Sequence, residues 1–157
     1  DIVYWLNNLE KESKIKTLIL TEKQIERIWY YFGGSVWEVS NFLSDIMHKA
    51  DKNKNLKDEI LETEAKKKIV ANKVRFIDYD KLYYKYDLFK GIYKLVTINK
   101  NQSFRIEQLN KFEEIELKKE LRNLVSKNFL AYNPVNGEYK LQGHSMFLGL
   151  EMLVKEI

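Results

Sequence analysis

Residues 124–141, LVSKNFLAYNPVNGEYKL, carry the local pattern on which the fold turns. A helical end at Leu124 and Val125 gives way to two strand-like runs, FLAYN at 129–133 and EYKLQ at 138–142. Between them lies Pro134-Val135-Asn136-Gly137. Asn-Gly is a strong hairpin signal because both residues tolerate positive φ. Upstream, residues 116–127 predict a helix with Leu117, Leu121, Leu124 and Val125 inward. Before it come a short helix around 107–112 and a short extended piece at 103–106. Downstream, Gly143 ends the hairpin and 144–157 predict a terminal helix.

A strongly amphipathic helix to about residue 96 completes the set, with Leu82, Tyr83, Tyr86, Phe89, Ile92, Tyr93 and Val96 on its apolar stripe. The resulting order of helix, strand, helix, helix, strand, strand, helix is that of a winged helix. The first third reads differently. Residues 1–9 predict a short helix with Ile2, Trp5, Leu6 and Leu9 on one face. Thr21 and Gln24 have capping-box spacing, and Ile25, Ile28, Trp29 and Phe32 form the expected buried stripe. Gly33 is the expected left-handed stop. Ser35 and Glu38 repeat the capping spacing before Val36, Val39, Phe42, Leu43, Ile46 and Met47, so the segment reads as a helical hairpin. Residues 50–55 are a polar break. Residues 55–75 predict a connecting helix with a thin stripe of Leu56, Ile60, Ala65, Ile69 and Val74, and Asp78 or Asp80 is expected to cap the next helix. The expected class is therefore mainly α: a helical hairpin or lid-like domain at 1–50, a connecting helix at 51–76, and a winged-helix (α+β) domain with a small β wing at 77–157.

Composition narrows the function classes. One proline and six glycines in 157 residues favour long helices over a turn-rich β fold. The chain has no cysteine, which excludes disulfides, thiolate metal sites and cysteine nucleophiles and fits a reducing compartment. No apolar run approaches the ~20 residues that span a bilayer, and no secretory signal is visible. The expectation is a cytoplasmic protein without a membrane partner. The formal net charge of +4 is unevenly placed: −1 over 1–50, +5 over 51–100 and 0 over 101–157. A nucleic-acid binder concentrates basic charge on its reading face, so the neutral last third weighs against that role. The chain begins with Asp1, from which a longer parent protein is expected.

Two stretches resemble a known family. LTEKQIERIWYYFGGSVWEVSNFL at 20–43 is similar to the lid of the archaeal P-loop ATPases of the signal-transduction type, where a helix ends in Gly-Gly and a second starts with a short residue. LVSKNFLAYNPVNGEYKLQGHSMFL at 124–148 resembles their C-terminal winged helix. The likeness covers about 18–157 and rests on layout more than on invariant residues. It implies a lid that contacts adenine nucleotide at Gly33, Gly34, Ser35 and Val36. ATP and Mg²⁺ would be held by an upstream P-loop domain, and the winged helix would answer to a partner. Two departures stand out. No G-x-x-x-x-G-K-[ST] loop and no Mg²⁺-binding acidic pair are present, so this chain carries no cofactor site of its own. Val36 stands where the family usually has proline.

Other constellations carry little chemistry. His48 and His144 lack metal-ligand spacing, and His48 suits a helix end. The acidic clusters Glu59, Glu62, Glu64 and Glu113, Glu114, Glu116 lie among lysines on amphipathic helices and read as solvated faces. Ser35 fails the G-x-S-x-G pattern because Trp37 occupies the last position, and capping accounts for it. Lys66-Lys67-Lys68 reads as a wet helix face. The tyrosines of 81–95 read as core, with Tyr84 off the stripe. No nucleophile–base pair is visible, so an enzyme complete in these residues is not expected. For double-stranded DNA, the helix before the hairpin offers Lys118, Lys119, Arg122, Asn123 and Ser126, with Lys140 on the wing. Glu113, Glu114, Glu116 and Glu120 share its neighbourhood, and the wing tip has no basic residue. Two alternatives remain open at this stage: a stand-alone winged-helix DNA-binding regulator, and a protein-interaction module dimerising through 82–96.

Overall fold

A computed structural model describes residues 18–156 of the chain, and the short helix expected over 1–9 lies outside the described residues. The described part is mainly helical with one small antiparallel sheet. Contacts divide the chain into two units, Asp1–Lys68 and Ile69–Ile157.

In the first unit, Thr21 starts helix α1 (Glu22–Phe32) through a complete capping box: Thr21 Oγ1 accepts from Gln24 N, and Gln24 Oε1 accepts from Thr21 N. Each bond satisfies a backbone donor that a helix start otherwise leaves open. Helix α2 (Val36–Ile46) starts at Ser35, whose Oγ accepts from Glu38 N, one half of the expected capping box. Ile28, Tyr31, Phe32, Val39, Phe42, Leu43 and Ile46 are buried, and the Phe32 and Phe42 rings stack at 4.3 Å. Two local expectations change. The left-handed residue is Gly34 (φ +93°), while Gly33 is extended, and a Cβ at Gly33 would meet the Trp29 carbonyl and indole. Trp29 is 53% exposed, and Gln24 takes the inward place. Gln24 Nε2 donates to Leu56 O at 2.7 Å and to Asp58 at 2.9 Å, so the amide is buried with its donors satisfied.

Helix α3 (Asp58–Tyr83) is one continuous helix, followed by α4 (Tyr86–Ile98). The expected break near 75–80 is displaced to Tyr84. The buried positions Leu61, Ala65, Ile69, Asn72, Phe76 and Tyr79 recur every three or four residues straight through it. Asp78 and Asp80 are thus interior helix residues. Their weaker helix preference costs about 0.7 kcal/mol or less each, small beside the burial of Phe76 and Tyr79. The break comes where Tyr84 turns left-handed (φ +56°), and Val74 and Leu82 of the expected stripes are exposed.

The second unit packs around an aromatic centre: Phe76 lies 5.0 Å from Phe89 and 4.9 Å from Phe129, and Tyr79 lies 5.4 Å from Phe129. Phe89, Ile92 and Val96 of the expected stripe join this core together with Leu88, whereas Leu82 and Tyr83 are exposed. After α4 come β1 (Ser103–Phe104), a 3-10 turn at Ile106–Gln108 in place of the expected short α-helix, α5 (Glu114–Ser126), β2 (Leu130–Asn133), β3 (Glu138–Leu141) and α6 (His144–Lys155). The strands order as β1-β3-β2, all antiparallel, with Phe104 opposite Tyr139 and Tyr139 opposite Tyr132. The β2–β3 loop has four residues and only Gly137 is left-handed (φ +73°). The two-residue Asn-Gly turn does not form, since Asn133 already pairs with Glu138 and its Oδ1 accepts from Val135 N. Gly149 of α6 meets α3 so closely that a Cβ there would lie 2.9 Å from Lys73 N.

Candidate functional site

The face between α5, the 3-10 turn and the hairpin forms a recess in the second unit. Helical spacing puts Lys118, Arg122 and Val125 on one side of α5. Strand register puts Tyr132 and Tyr139 across from each other, their rings 4.6 Å apart. Together with Ile106, Glu107 and Gly137 they line a cleft of about 390 Å³. Phe104 stacks on Tyr139 from the other side at 5.5 Å, making an aromatic row across all three strands. Burial pushes the Tyr139 hydroxyl above the usual tyrosine range. Tyr132 adds to that shift and the Arg122 cation opposes it.

The expected DNA-reading residues separate into two groups. Lys118, Lys119, Arg122, Ser126 and Lys140 are exposed. Lys118 pairs with Glu114 one turn back at 3.1 Å. Lys140 pairs with Ser103 and Ala131 in the ladder, on the sheet face opposite the tyrosine row. Asn123 is not offered outward: its Nδ2 donates to Tyr79 Oη at 2.8 Å, and Ser126 Oγ donates to Asn123 O. Glu120 is also committed inward, accepting from Tyr79 at 2.7 Å. Burial, and then the bond to Glu120, hold the Tyr79 hydroxyl well above the usual tyrosine range. Glu113, Glu114 and Glu116 stay exposed at the start of α5. Two apolar residues of these elements are exposed: Ile115, one turn before Lys118, at 78%, and Val135 on the hairpin loop at 93%. Glu107, Tyr132 and Tyr139 were missed by sequence reasoning. The tyrosines were within reach of it, since they lie symmetrically about the turn.

In the first unit, Gly33, Gly34, Ser35 and Val36 form the elbow between α1 and α2. Ser35 is buried by its capping role, Gly34 is exposed, and Val36 is 64% exposed. Beside α1 lies a smaller recess of about 340 Å³, lined by Lys23, Gln24, Arg27, Asp58, Leu61 and Glu62. Two of its charges, Arg27 and Glu62, engage each other. Arg27 holds Glu62 by two bonds of 2.7 and 3.1 Å, and Tyr31 Oη donates to the same carboxylate at 2.5 Å. The Arg27 bond holds the Glu62 carboxyl below its ordinary range and Arg27 above its own.

Among the described residues no group of His, Asp and Glu is placed to hold a metal ion, and no helix is long and apolar enough to cross a membrane. Comparison with known proteins finds no matching family model, no matching curated protein and no matching solved structure.

Proposed function

We propose that this chain is the non-catalytic lid and winged-helix part of an ATPase of the archaeal P-loop type. In this reading residues 69–157 are a winged-helix module that presents α5 and the β2–β3 hairpin to a macromolecular partner. The observation that carries the module is the strand order β1-β3-β2 with α5 directly before the hairpin, the arrangement in which a winged helix displays its recognition helix. The lid reading draws support from the α1–α2 hairpin, whose elbow combines a left-handed Gly34 with a Ser35 cap.

The upstream domain would hold ATP and Mg²⁺. This chain would add only the elbow, Gly33 to Val36, against the nucleotide-bearing face. Such a lid shifts the balance of states by no more than its difference in contact free energy between them. Cytoplasmic placement belongs to the same proposal. The test is the coding sequence upstream of Asp1. An apolar strand followed by G-x-x-x-x-G-K-[ST] is the expected result, and a start codon immediately before Asp1 overturns the ATPase part.

The exposed Lys118, Lys119 and Arg122 favour a second reading, a stand-alone DNA-binding regulator. It requires salt-sensitive duplex binding that weakens in Arg122→Ala. Unchanged binding in that variant removes α5 as the reading helix.

A further inference from the structure

The α5–hairpin cleft has two cations in its wall, Lys118 and Arg122, against one carboxylate, Glu107. Arg122 lines it and makes no hydrogen bond or ion pair to another described residue. Lys118 lies one turn earlier, tied only to the exposed Glu114, a pair that water and salt loosen at little cost. Apart from Glu107 and Gly137, the rest of the lining is apolar or aromatic, from Ile106, Val125, Tyr132 and Tyr139, and the two cations leave the lining with an excess of one positive charge. Ile115 on α5 and Val135 on the β2–β3 loop, both largely exposed, add apolar surface on the same two elements. A recess of this size with few polar groups suits a short run of side chains.

Duplex DNA fits this surface poorly. The first turn of α5, the part a recognition helix brings to base edges, carries exposed Glu113, Glu114 and Glu116. The wing tip, Asn133 and the loop 134–137, has no Lys or Arg, and residues 101–157 sum to zero charge. A polyanion needs several cations along its track, whereas a single carboxylate needs one guanidinium, which binds it bidentately. Tyr132 and Arg122 meanwhile are of the residue types enriched at the energetic centres of protein interfaces.

We infer that this cleft docks a carboxylate-bearing, apolar segment of a partner protein, with Arg122 taking the carboxylate and Ile115, Tyr132 and Val135 taking the flanking apolar side chains. The inference deepens the proposed function by naming the partner's chemistry, and it rests on α5 and the hairpin being the presenting surface.

The test is an NMR titration of the isotopically labelled full chain with N-acetylphenylalanine, with its uncharged amide, and with a short DNA duplex. The carboxylate is expected to shift resonances of Ile115, Arg122, Tyr132, Val135 and Tyr139, with the amide about tenfold weaker. Arg122→Gln is expected to erase the difference between acid and amide. Lys119→Gln, on α5 but outside the cleft lining, leaves it intact. Equal response to acid and amide overturns the inference. So do shifts of these residues that depend on protein concentration alone, which would put a second copy in the cleft. Salt-sensitive shifts of α5 by duplex, with no response to the carboxylate, overturn the inference but leave α5 and the hairpin as the presenting surface. Silence of both elements to every probe removes that surface as well.

Discussion

Tyr84 ends the long helix with a left-handed backbone that L side chains other than Asn and Asp rarely adopt, and its ring is 87% exposed. Relief of the left-handed backbone, about 1 kcal/mol, is offset by glycine's larger unfolded-state entropy. Tyr84→Gly is therefore expected to leave the melting temperature unchanged or slightly raised. A clear loss in a thermal melt would assign the ring a role in packing. Glu62 gives a pH-dependent case. Arg27, then Tyr31, favour its ionised form, so its folded pKa lies below the unfolded value of about 4.3. That contribution is full above the unfolded pKa and is lost as pH falls through the folded one. Glu62→Gln is expected to cost about 1 kcal/mol in urea denaturation at neutral pH, with the deficit shrinking in acid. His144 works at higher pH. Burial holds its imidazole below its ordinary value, partly offset by Glu151. The unfolded chain therefore takes up the proton first, and stability falls as pH drops below about 6.5. His144→Gln is expected to flatten that limb of the pH–stability curve.

The elements show which signals were legible. The capped start of α1, the cap at Ser35 and the α5–hairpin–α6 succession could be read from short-range chemistry: a hydroxyl three residues before an amide, a breaker, an alternation. The run of α3 through Asp78 and Asp80 could not. Local propensity marks a boundary there, while the deciding interaction is long-range burial of Phe76 and Tyr79 against Phe89 and Phe129. The same limit placed Trp29 inward and overlooked Gln24, since spacing alone does not tell which neighbouring stripe of α1 faces the core. It also hid the cleft, whose lining comes from four separated segments. Two predictions belong here. Phe76→Ala empties the shared aromatic centre and is expected to cost about 3–5 kcal/mol. Gly149→Ala improves helix propensity by about 1 kcal/mol. Its methyl, however, meets Lys73 N and Asn72 Cβ at 2.9 Å, where backbone cannot yield cheaply. A net loss is expected, with overpacking costing about 1–3 kcal/mol. A melt showing stabilisation would mean that α6 is free to move away from α3.

At the scale of the molecule, the core cluster of the second unit lies wholly within residues 76–153. A fragment covering 69–157 is therefore expected to fold by itself, with a helical circular-dichroism spectrum and a single cooperative melt. Absence of a transition would show that the first unit is required. The whole-molecule reading was the least accessible from sequence, because composition and charge bound a function class and only a site supplies the chemistry.

The exposed indole of Trp29 beside the elbow has an optical consequence. The tryptophans of this chain are Trp5, Trp29 and Trp37, all before residue 68, while seven of its ten tyrosines lie beyond it. Light absorbed at the red edge of the aromatic band therefore excites the first unit alone, and tyrosine emission is weighted toward the second. The molecule carries two colours of built-in reporter. Whatever settles on the elbow changes one of them, and whatever fills the cleft beside Tyr132 and Tyr139 changes the other.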